Sequence, residues 1–405
     1  MTTINIPGSK SIAARALVCR LLGGHDTKLT NLPDCGDTRG MLRLTEAVRD
    51  ALRKTSDVQR TTTIDIGEGG TTLRFGMAAC ASIPGLDITL TGSPRLMERP
   101  HDTLLKALRE MGAEIRPIPS ENAIHIMGHL LSGGTLHLDG SVSSQYLSAL
   151  MLAAPTWIAD TRIVLEGQVV SRPYIEMTAG VMRAFGADVS IDDSMEVSVR
   201  ATGYAQCARY DIEGDWSGAS YFFELRLIAE ALGINLPDFE MPTLKSPAES
   251  LQGDSRVAAI FADAQATLRS PLSTLRSPLL FNLNDAPDLV PAVAVGFCVA
   301  GIPFRIDGVA HLRHKESDRM AAIAIELGRL GYVIGTGEDS MCWDGSRCEP
   351  EEEPLIRTYK DHRMAMAFAP ARLAFPSLRI EDPTVVEKSF PSYWHEFSKI
   401  CRDDN

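Results

Sequence analysis

No apolar run in this 405-residue chain approaches the length that a membrane span needs. Its eight cysteines, Cys19, Cys35, Cys80, Cys207, Cys298, Cys342, Cys348 and Cys401, form no CxxC pair and have no histidine at metal spacing. They read as the reduced thiols of a cytoplasmic protein. The Walker pattern GxxxxGK[ST], a strand-coupled GxGxxG and a metal-like cluster of carboxylates are absent too, so a nucleotide or metal enzyme is not favoured. Positive charge is the minority: 40 Lys and Arg stand against 52 Asp and Glu, a net charge of -12. That balance argues against nucleic acid or an acidic membrane surface as the main partner. Met1-Thr2-Thr3-Ile4-Asn5-Ile6 runs straight into the first motif, which is read as leaving no room for a signal or transit peptide.

What is present is an ordinary globular composition, 44% hydrophobic and 23% charged, in a chain longer than one core usually serves. Two domains are expected. Helical and extended stretches alternate throughout. The pattern gives about twelve helices, starting near Ser9, Gly36, Gly70, His101, Val142, Arg172, Ser217, Asp254, Ala286, Lys315, Lys360 and Lys388. Several end in a glycine turn followed by a β-rich run, as at Gly112, Gly186 and Gly331, where glycine suits the position after the last helical residue. Recurrence of that unit suggests a repeated α/β block. No long linker marks a boundary. Cys348 to Pro354 reads as a solvated turn, and the tandem repeat Thr267-Leu268-Arg269-Ser270-Pro271-Leu272-Ser273 and Thr274 to Leu280 as irregular or edge-strand structure without a catalytic role.

Chemistry concentrates at helix starts. Pro7-Gly8-Ser9-Lys10-Ser11 ends an extended stretch, offers Ser9 as a cap and opens the helical run from Ile12 to Leu22. Lys10 and Ser11 then occupy the first turn, where unpaired N–H groups and the helix dipole favour an anion, with Arg15 one turn on. The same grammar returns at Gly69-Gly70-Thr71-Thr72-Leu73-Arg74, Gly92-Ser93-Pro94-Arg95, Gly140 to Tyr146, Ser171-Arg172-Pro173-Tyr174, His311 to Arg319, Lys360 to Met366, and Lys388-Ser389-Phe390-Pro391. Any one of these is more simply a capped helix. Together, about seven or eight cations at helix starts in an acidic chain fit a site for several phosphates or carboxylates.

Six stretches in order carry a closer resemblance: Pro7 to Ser11, Gly69 to Arg74, Pro94 to Pro100, Gly140 to Gln145, Lys315-Glu316-Ser317-Asp318-Arg319 and Asp361-His362-Arg363-Met364-Ala365. They resemble the signature motifs of the 3-phosphoshikimate 1-carboxyvinyltransferase (EPSP synthase) family and span nearly the whole chain. The resemblance implies an α/β (α+β) fold of two similar domains, each of three βαβαββ units, an inside-out barrel closing on a central cleft. Residues 9–213 would form the N-terminal domain, on the shikimate 3-phosphate side. Residues 214–405 with 1–8 would form the C-terminal domain, on the phosphoenolpyruvate side, with the second crossing near Glu213-Gly214-Asp215. The implied reaction moves the enolpyruvyl group of phosphoenolpyruvate to the 5-hydroxyl of shikimate 3-phosphate and releases phosphate, with no metal or organic cofactor. A cytoplasmic monomer with small-molecule substrates and no nucleic-acid or membrane partner is expected.

Carried over residue by residue, the resemblance assigns Ser11, Arg15, Ser143, Ser144, Gln145, Ser171, Tyr174 and His311 to shikimate 3-phosphate. Gly70, Arg95, Gln145, Arg319, Arg363 and Lys388 would hold phosphoenolpyruvate, and Lys10 would lie between the ligands. Asp288 and Lys315, which would also bind shikimate 3-phosphate, serve the reacting hydroxyl, and Glu316 the methylene carbon; the catalytic set is Lys10, Asp288, Lys315 and Glu316. Gly70 matches the form whose site admits the inhibitor glyphosate. Three positions depart from the family pattern. Glu68 stands where a small polar residue is common, His311 where asparagine is common, and the stretch 257–281 is shorter than usual, as if one unit were trimmed. The rival within the fold, UDP-N-acetylglucosamine 1-carboxyvinyltransferase, usually carries a loop cysteine, yet no cysteine lies between Cys80 and Cys207. The other rival, an inactive anion-binding relative, is expected to lose acid/base residues that are present here.

Overall fold

The computed structural model describes residues 1–53, 61–140, 143–167, 172–270, 277–314 and 317–401. Expected site residues Ser171, Lys315 and Glu316 lie outside the described residues, as do the expected helix starts at Val142 and Lys315. The chain divides into two compact units, Gly8–Ile212 and Met1–Pro7 with Glu213–Asn405. Gly8 opens the first, where a Cβ would stand 2.0 Å from the Asn31 carbonyl oxygen, so only glycine fits.

The N-terminal unit holds α1 (Lys10–Gly23), α2 (Gly36–Arg53), α3 (Gly70–Ala81), the single turn α4 (Pro94–Met97), α5 (Asp102–Glu110), α6 (Ser144–Ala153) and α7 (Arg172–Ala184). One sheet orders its strands Thr62–Asp65, Asp87–Thr91, Ala123–Met127 and Glu114–Ile118, the first pair parallel and the rest antiparallel. A second sheet, Gly134–Asp139, Thr161–Glu166, Val197–Val199 and Val189–Ile191, repeats that order and direction. A third pair, Lys28–Thr30 with Arg209–Asp211, is parallel like the first pair of each sheet. Helices α1, α3 and α6 pack on one another. Their apolar residues leave no polar face: α3 is buried from Thr72 to Ala81 and α6 from Tyr146 to Ala153. By contrast α2 buries a stripe at Met41, Leu44 and Val48 and keeps its charges outside.

The C-terminal unit repeats the plan with α8 (Trp216–Leu232), α9 (Val257–Arg269), α10 (Val290–Val299), α11 (Arg319–Arg329), α12 (His362–Phe368) and α13 (Tyr393–Ser398). Its four-stranded sheet, Leu279–Asn282, Phe304–Asp307, Ser340–Trp343 and Gly335–Thr336, has the same order and directions again. Two parallel pairs, Thr2–Thr3 with Phe239–Glu240 and Leu355–Ile356 with Arg379–Ile380, complete it among the described residues. Here α8, α10 and α12 form the centre, and every residue of α10 is buried. The helices therefore fall into six couples, with three of the six blocks carrying a full βαβαββ sheet among the described residues and α4 as an extra turn.

Some expectations change. The last helix does not begin near Lys388: that residue ends a 3-10 turn, Pro383–Lys388, and α13 starts only at Tyr393, beyond Pro391. Thr267 to Arg269 of the tandem repeat are the last turn of α9, which stops ahead of Pro271 because a residue before proline avoids helical backbone. The end of the repeat, Leu279–Leu280, does enter an edge strand. Helices expected near Asp254 and Ala286 are preceded by 3-10 turns, Gly253–Arg256 and Pro287–Leu289. The acidic stretch from Cys348 to Glu353 is exposed, and Glu351 pairs with Arg329 at 2.7 Å.

Candidate active site

In the N-terminal unit four of the helices whose starts were singled out above meet at one buried arginine. Arg15, 3% exposed, donates from Nε to Thr178 Oγ1 at 2.7 Å and from its terminal nitrogens to the Ser11 carbonyl at 2.8 Å and Ser148 Oγ at 3.0 Å. Its guanidinium also lies 5.3 Å from the Phe75 ring centroid and 6.0 Å from that of Tyr174. Residues of α1, α3, α6 and α7 thus share one cation. Burial lowers its pKa to about 10, which leaves it charged at neutral pH. Lys10, in the first turn of α1, reaches Asp37 Oδ2 at 3.1 Å. Ser9 occupies the cap position of α1 without a side-chain capping bond, and the cap of α3 is Gly69, which has no side chain to offer. The first N–H groups of both helices are thereby left to other acceptors.

Gly70 begins α3 beneath two guanidinium groups: a Cβ there would lie 2.9 Å from an Arg74 nitrogen and 3.2 Å from one of Arg99. Arg74 is 7% exposed, donates to Gln145 Oε1 at 2.5 Å and lies 5.2 Å from the centroid of the Tyr146 ring. His101 is pushed down by burial and by the cations of Arg74 and Arg99. Ser143 caps α6 through the Gln145 N–H at 3.4 Å, and Ser144 and Gln145 follow in the first turn, half-buried. Tyr174 is half-buried near the start of α7, and Arg95 is exposed on α4. Glu68 is exposed in the turn before α3.

In the C-terminal unit the structure brings together Asp288, Arg319 and Arg363. Asp288 Oδ1 accepts from Arg319 at 3.1 Å and Oδ2 from Arg363 at 2.6 Å. Arg319 Nε donates to Asp361 Oδ2 at 2.8 Å, and Asp361 caps α12 by accepting from the Arg363 N–H at 3.0 Å. Charges alternate along the series Asp361, Arg319, Asp288, Arg363. The two arginines are 1% and 4% exposed, and such buried guanidinium groups need these carboxylates. Burial alone would lower Arg363, but Asp288, Tyr221, Asp215 and Asp254 around it hold it well above its ordinary value. His311 is half-buried in the 3-10 turn Ala310–His314, and Lys388 is half-buried at the end of its turn.

Chemically this is a carboxylate set between two cations that also suit a phosphate or carboxylate ligand, because guanidinium presents its donors as a planar fork. Sequence reasoning left out three participants. Arg74 stood in the quoted glycine-turn motif, but its bond to Gln145 joins residues far apart in sequence. Asp361 stood in a motif as well, and an aspartate just before a helical run is a cap signal that could have found it. Asp254 gave no signal of its burial.

The sequence model of the family described as EPSP synthase (3-phosphoshikimate 1-carboxyvinyltransferase) matches residues 1–397. The chain belongs to the EPSP synthase family. The 3-phosphoshikimate 1-carboxyvinyltransferase of Bacteroides fragilis (strain YCH46) is 38% identical over 408 residues, covering 98% of this chain and 94% of the relative. That of Haemophilus influenzae (strain Rd) is 33% identical over 428 residues, with 98% and 96% covered. Among solved structures, an EPSP synthase from Acinetobacter baumannii superposes with a TM-score of 0.72 at 20% identity over 98% of this chain and 95% of that one. The enolpyruvyl transferase NikO from Streptomyces tendae does so with 0.69 at 13% identity, over 99% and 95%. At these identities the structural likeness speaks to the EPSP synthase fold alone. No helix among the described residues is long and apolar enough to cross a membrane.

Proposed function

We propose that the chain is a 3-phosphoshikimate 1-carboxyvinyltransferase, which moves the enolpyruvyl group of phosphoenolpyruvate to the 5-hydroxyl of shikimate 3-phosphate and releases phosphate. Family membership carries the reaction, and the series Asp361, Arg319, Asp288, Arg363 is the observation that supports its chemistry here. In the addition step the acceptor hydroxyl loses a proton, its oxygen bonds the substituted carbon of the donor, and the methylene carbon gains a proton. In the elimination step that carbon loses phosphate and the new methyl group returns a proton, which restores the double bond. Asp288, with Lys315, serves the hydroxyl and Glu316 the methylene carbon. Asp288 suits its role because two guanidinium groups fix the orientation of its half-buried carboxylate.

Arg319, Arg363 and Lys388 of the C-terminal unit bind phosphoenolpyruvate, and fixed cations stabilise charge on the leaving phosphate without reorganising. In the N-terminal unit, Lys10, Gly70, Arg95 and Gln145 serve the same donor. Ser11, Arg15, Ser143, Ser144, Gln145, Ser171 and Tyr174 serve shikimate 3-phosphate, as does His311 of the C-terminal unit. The N-terminal unit is accordingly the acceptor side and the C-terminal unit the donor side. The enzyme acts in the cytoplasm, a reading that rests on the scattered thiols, and it acts as a monomer on two small molecules.

The test is incubation with both substrates. Phosphate should appear together with a product heavier than shikimate 3-phosphate by one enolpyruvyl group, and Asp288→Asn should lose this turnover while still binding shikimate 3-phosphate. Full turnover by that variant would remove Asp288 from the chemistry.

A further inference from the structure

Four carboxylates surround the two buried arginines of the C-terminal unit: Asp215, Asp254, Asp288 and Asp361. Three have evident tasks. Asp215 caps α8 by accepting from the Gly218 N–H at 3.0 Å, Asp361 caps α12 and pairs with Arg319, and Asp288 bridges Arg319 and Arg363. Asp254 differs. It sits in the turn Gly253–Arg256 ahead of α9, is 6% exposed, and its hydrogen-bond partner is the Ser217 hydroxyl near the start of α8. A hydroxyl can donate to a carboxylate or accept from a carboxylic acid, so this contact tolerates either protonation state.

The groups that face Asp254 are Asp288 from the turn before α10, Arg363 from α12, and Asp215 and Ser217 from the start of α8. With all four carboxylates ionised, the cluster holds more negative than positive charge, a poor receptor for an anionic donor. One proton removes much of that repulsion, and Asp254 can carry it without breaking a helix cap or an arginine pair. Burial, then the nearby Asp288, push its carboxyl up to about 7.

We infer that Asp254 is a positioning residue whose proton is linked to donor binding: protonated, it leaves Arg363 to the anionic donor; ionised, it competes for that guanidinium and repels the donor. Binding then takes one proton from solvent onto an Asp254 oxygen, and no other bond changes. The inference rests on the proposed use of Arg363 for phosphoenolpyruvate.

The experiment compares kcat and kcat/KM for phosphoenolpyruvate from pH 6 to 9, at saturating shikimate 3-phosphate, for the wild type, Asp254→Asn and Ser217→Ala. Asparagine keeps the shape but cannot ionise. The ratio of kcat/KM, variant over wild type, should climb with pH above about 7, by at most about tenfold per pH unit, while the kcat ratio stays level. Ser217→Ala removes a bond that favours the ionised form, so its break should move to higher pH. Parallel profiles for wild type and Asp254→Asn overturn the inference alone, as does an unmoved break in Ser217→Ala if the asparagine variant does not fold. Absence of turnover in the wild type at every pH overturns the functional reading and this inference with it.

Discussion

Glu224 on α8 is 0% exposed, and neither of its carboxyl oxygens has a hydrogen-bond partner among the described residues. It is wedged against α10, where a Cβ on Gly296 would come within 2.9 Å of the Glu224 Cγ. Burial pushes its pKa well above the ordinary carboxyl range, so the folded protein carries it as the neutral acid. In the unfolded chain it ionises near pH 4.3. Because the folded-state pKa is the higher one, its stability contribution is complete below about pH 4.3 and is lost as pH rises toward the folded value, by about 1.4 kcal/mol per pH unit. Glu224→Gln keeps the shape and removes the proton. Its packing cost is constant with pH, so the stability difference between variant and wild type should shift in the variant's favour by about 1.4 kcal/mol between pH 5 and pH 6. Urea unfolding followed by tryptophan fluorescence suits the test, since Trp216, Trp343 and Trp394 lie in the same unit as Glu224. A difference that is the same at both pH values would refute the reasoning. Glu224→Met, which removes the orphaned polar group, should also raise stability at neutral pH by about 1–3 kcal/mol.

Tyr359 and Lys360 both hold left-handed backbone, with φ of 52° and 56°, just ahead of the Asp361 cap. Lys360 is exposed, so Lys360→Gly relieves strain without losing packing and should stabilise the fold by about 0.5–1 kcal/mol, read as a higher melting temperature; a lower one would count against strain there. Gly70→Ala places a methyl 2.9 Å from Arg74 and 3.2 Å from Arg99. Those flexible side-chain ends must shift, so KM for phosphoenolpyruvate should rise and inhibition by glyphosate weaken; an inhibitor that does not compete with phosphoenolpyruvate would remove glyphosate from that site. Arg15→Lys loses the fork that joins Thr178, Ser148 and the Ser11 carbonyl, and should raise KM for shikimate 3-phosphate more than it lowers kcat. Equal KM values would separate Arg15 from the acceptor.

Local signals in the sequence were enough for most elements. Helices expected at Gly36, Gly70 and Arg172 begin at those residues, and the apolar run of α10 is buried on every side. His137 pairs on the surface with Glu166 at 3.1 Å, and Met364 and Met366 are in the core. The error at Lys388 came from weighing a cation at a helix start above the prolines on either side of it, Pro383 and Pro391, which shape a 3-10 turn instead. What no local pattern carries is pairing across the chain. That Asp288 holds both Arg319 and Arg363, or that Arg74 reaches Gln145, depends on which helices meet in the core. Burial is equally invisible locally: Asp254 reads as an ordinary aspartate before a helix, yet the packing around it makes it a group that titrates near neutrality.

The central claim is the transfer of an enolpyruvyl group to shikimate 3-phosphate, and the most direct measurement offers the purified protein phosphoenolpyruvate with one of two acceptors. Phosphate release with shikimate 3-phosphate and none with UDP-N-acetylglucosamine is the predicted result. Release with UDP-N-acetylglucosamine alone, or with neither acceptor, would contradict it.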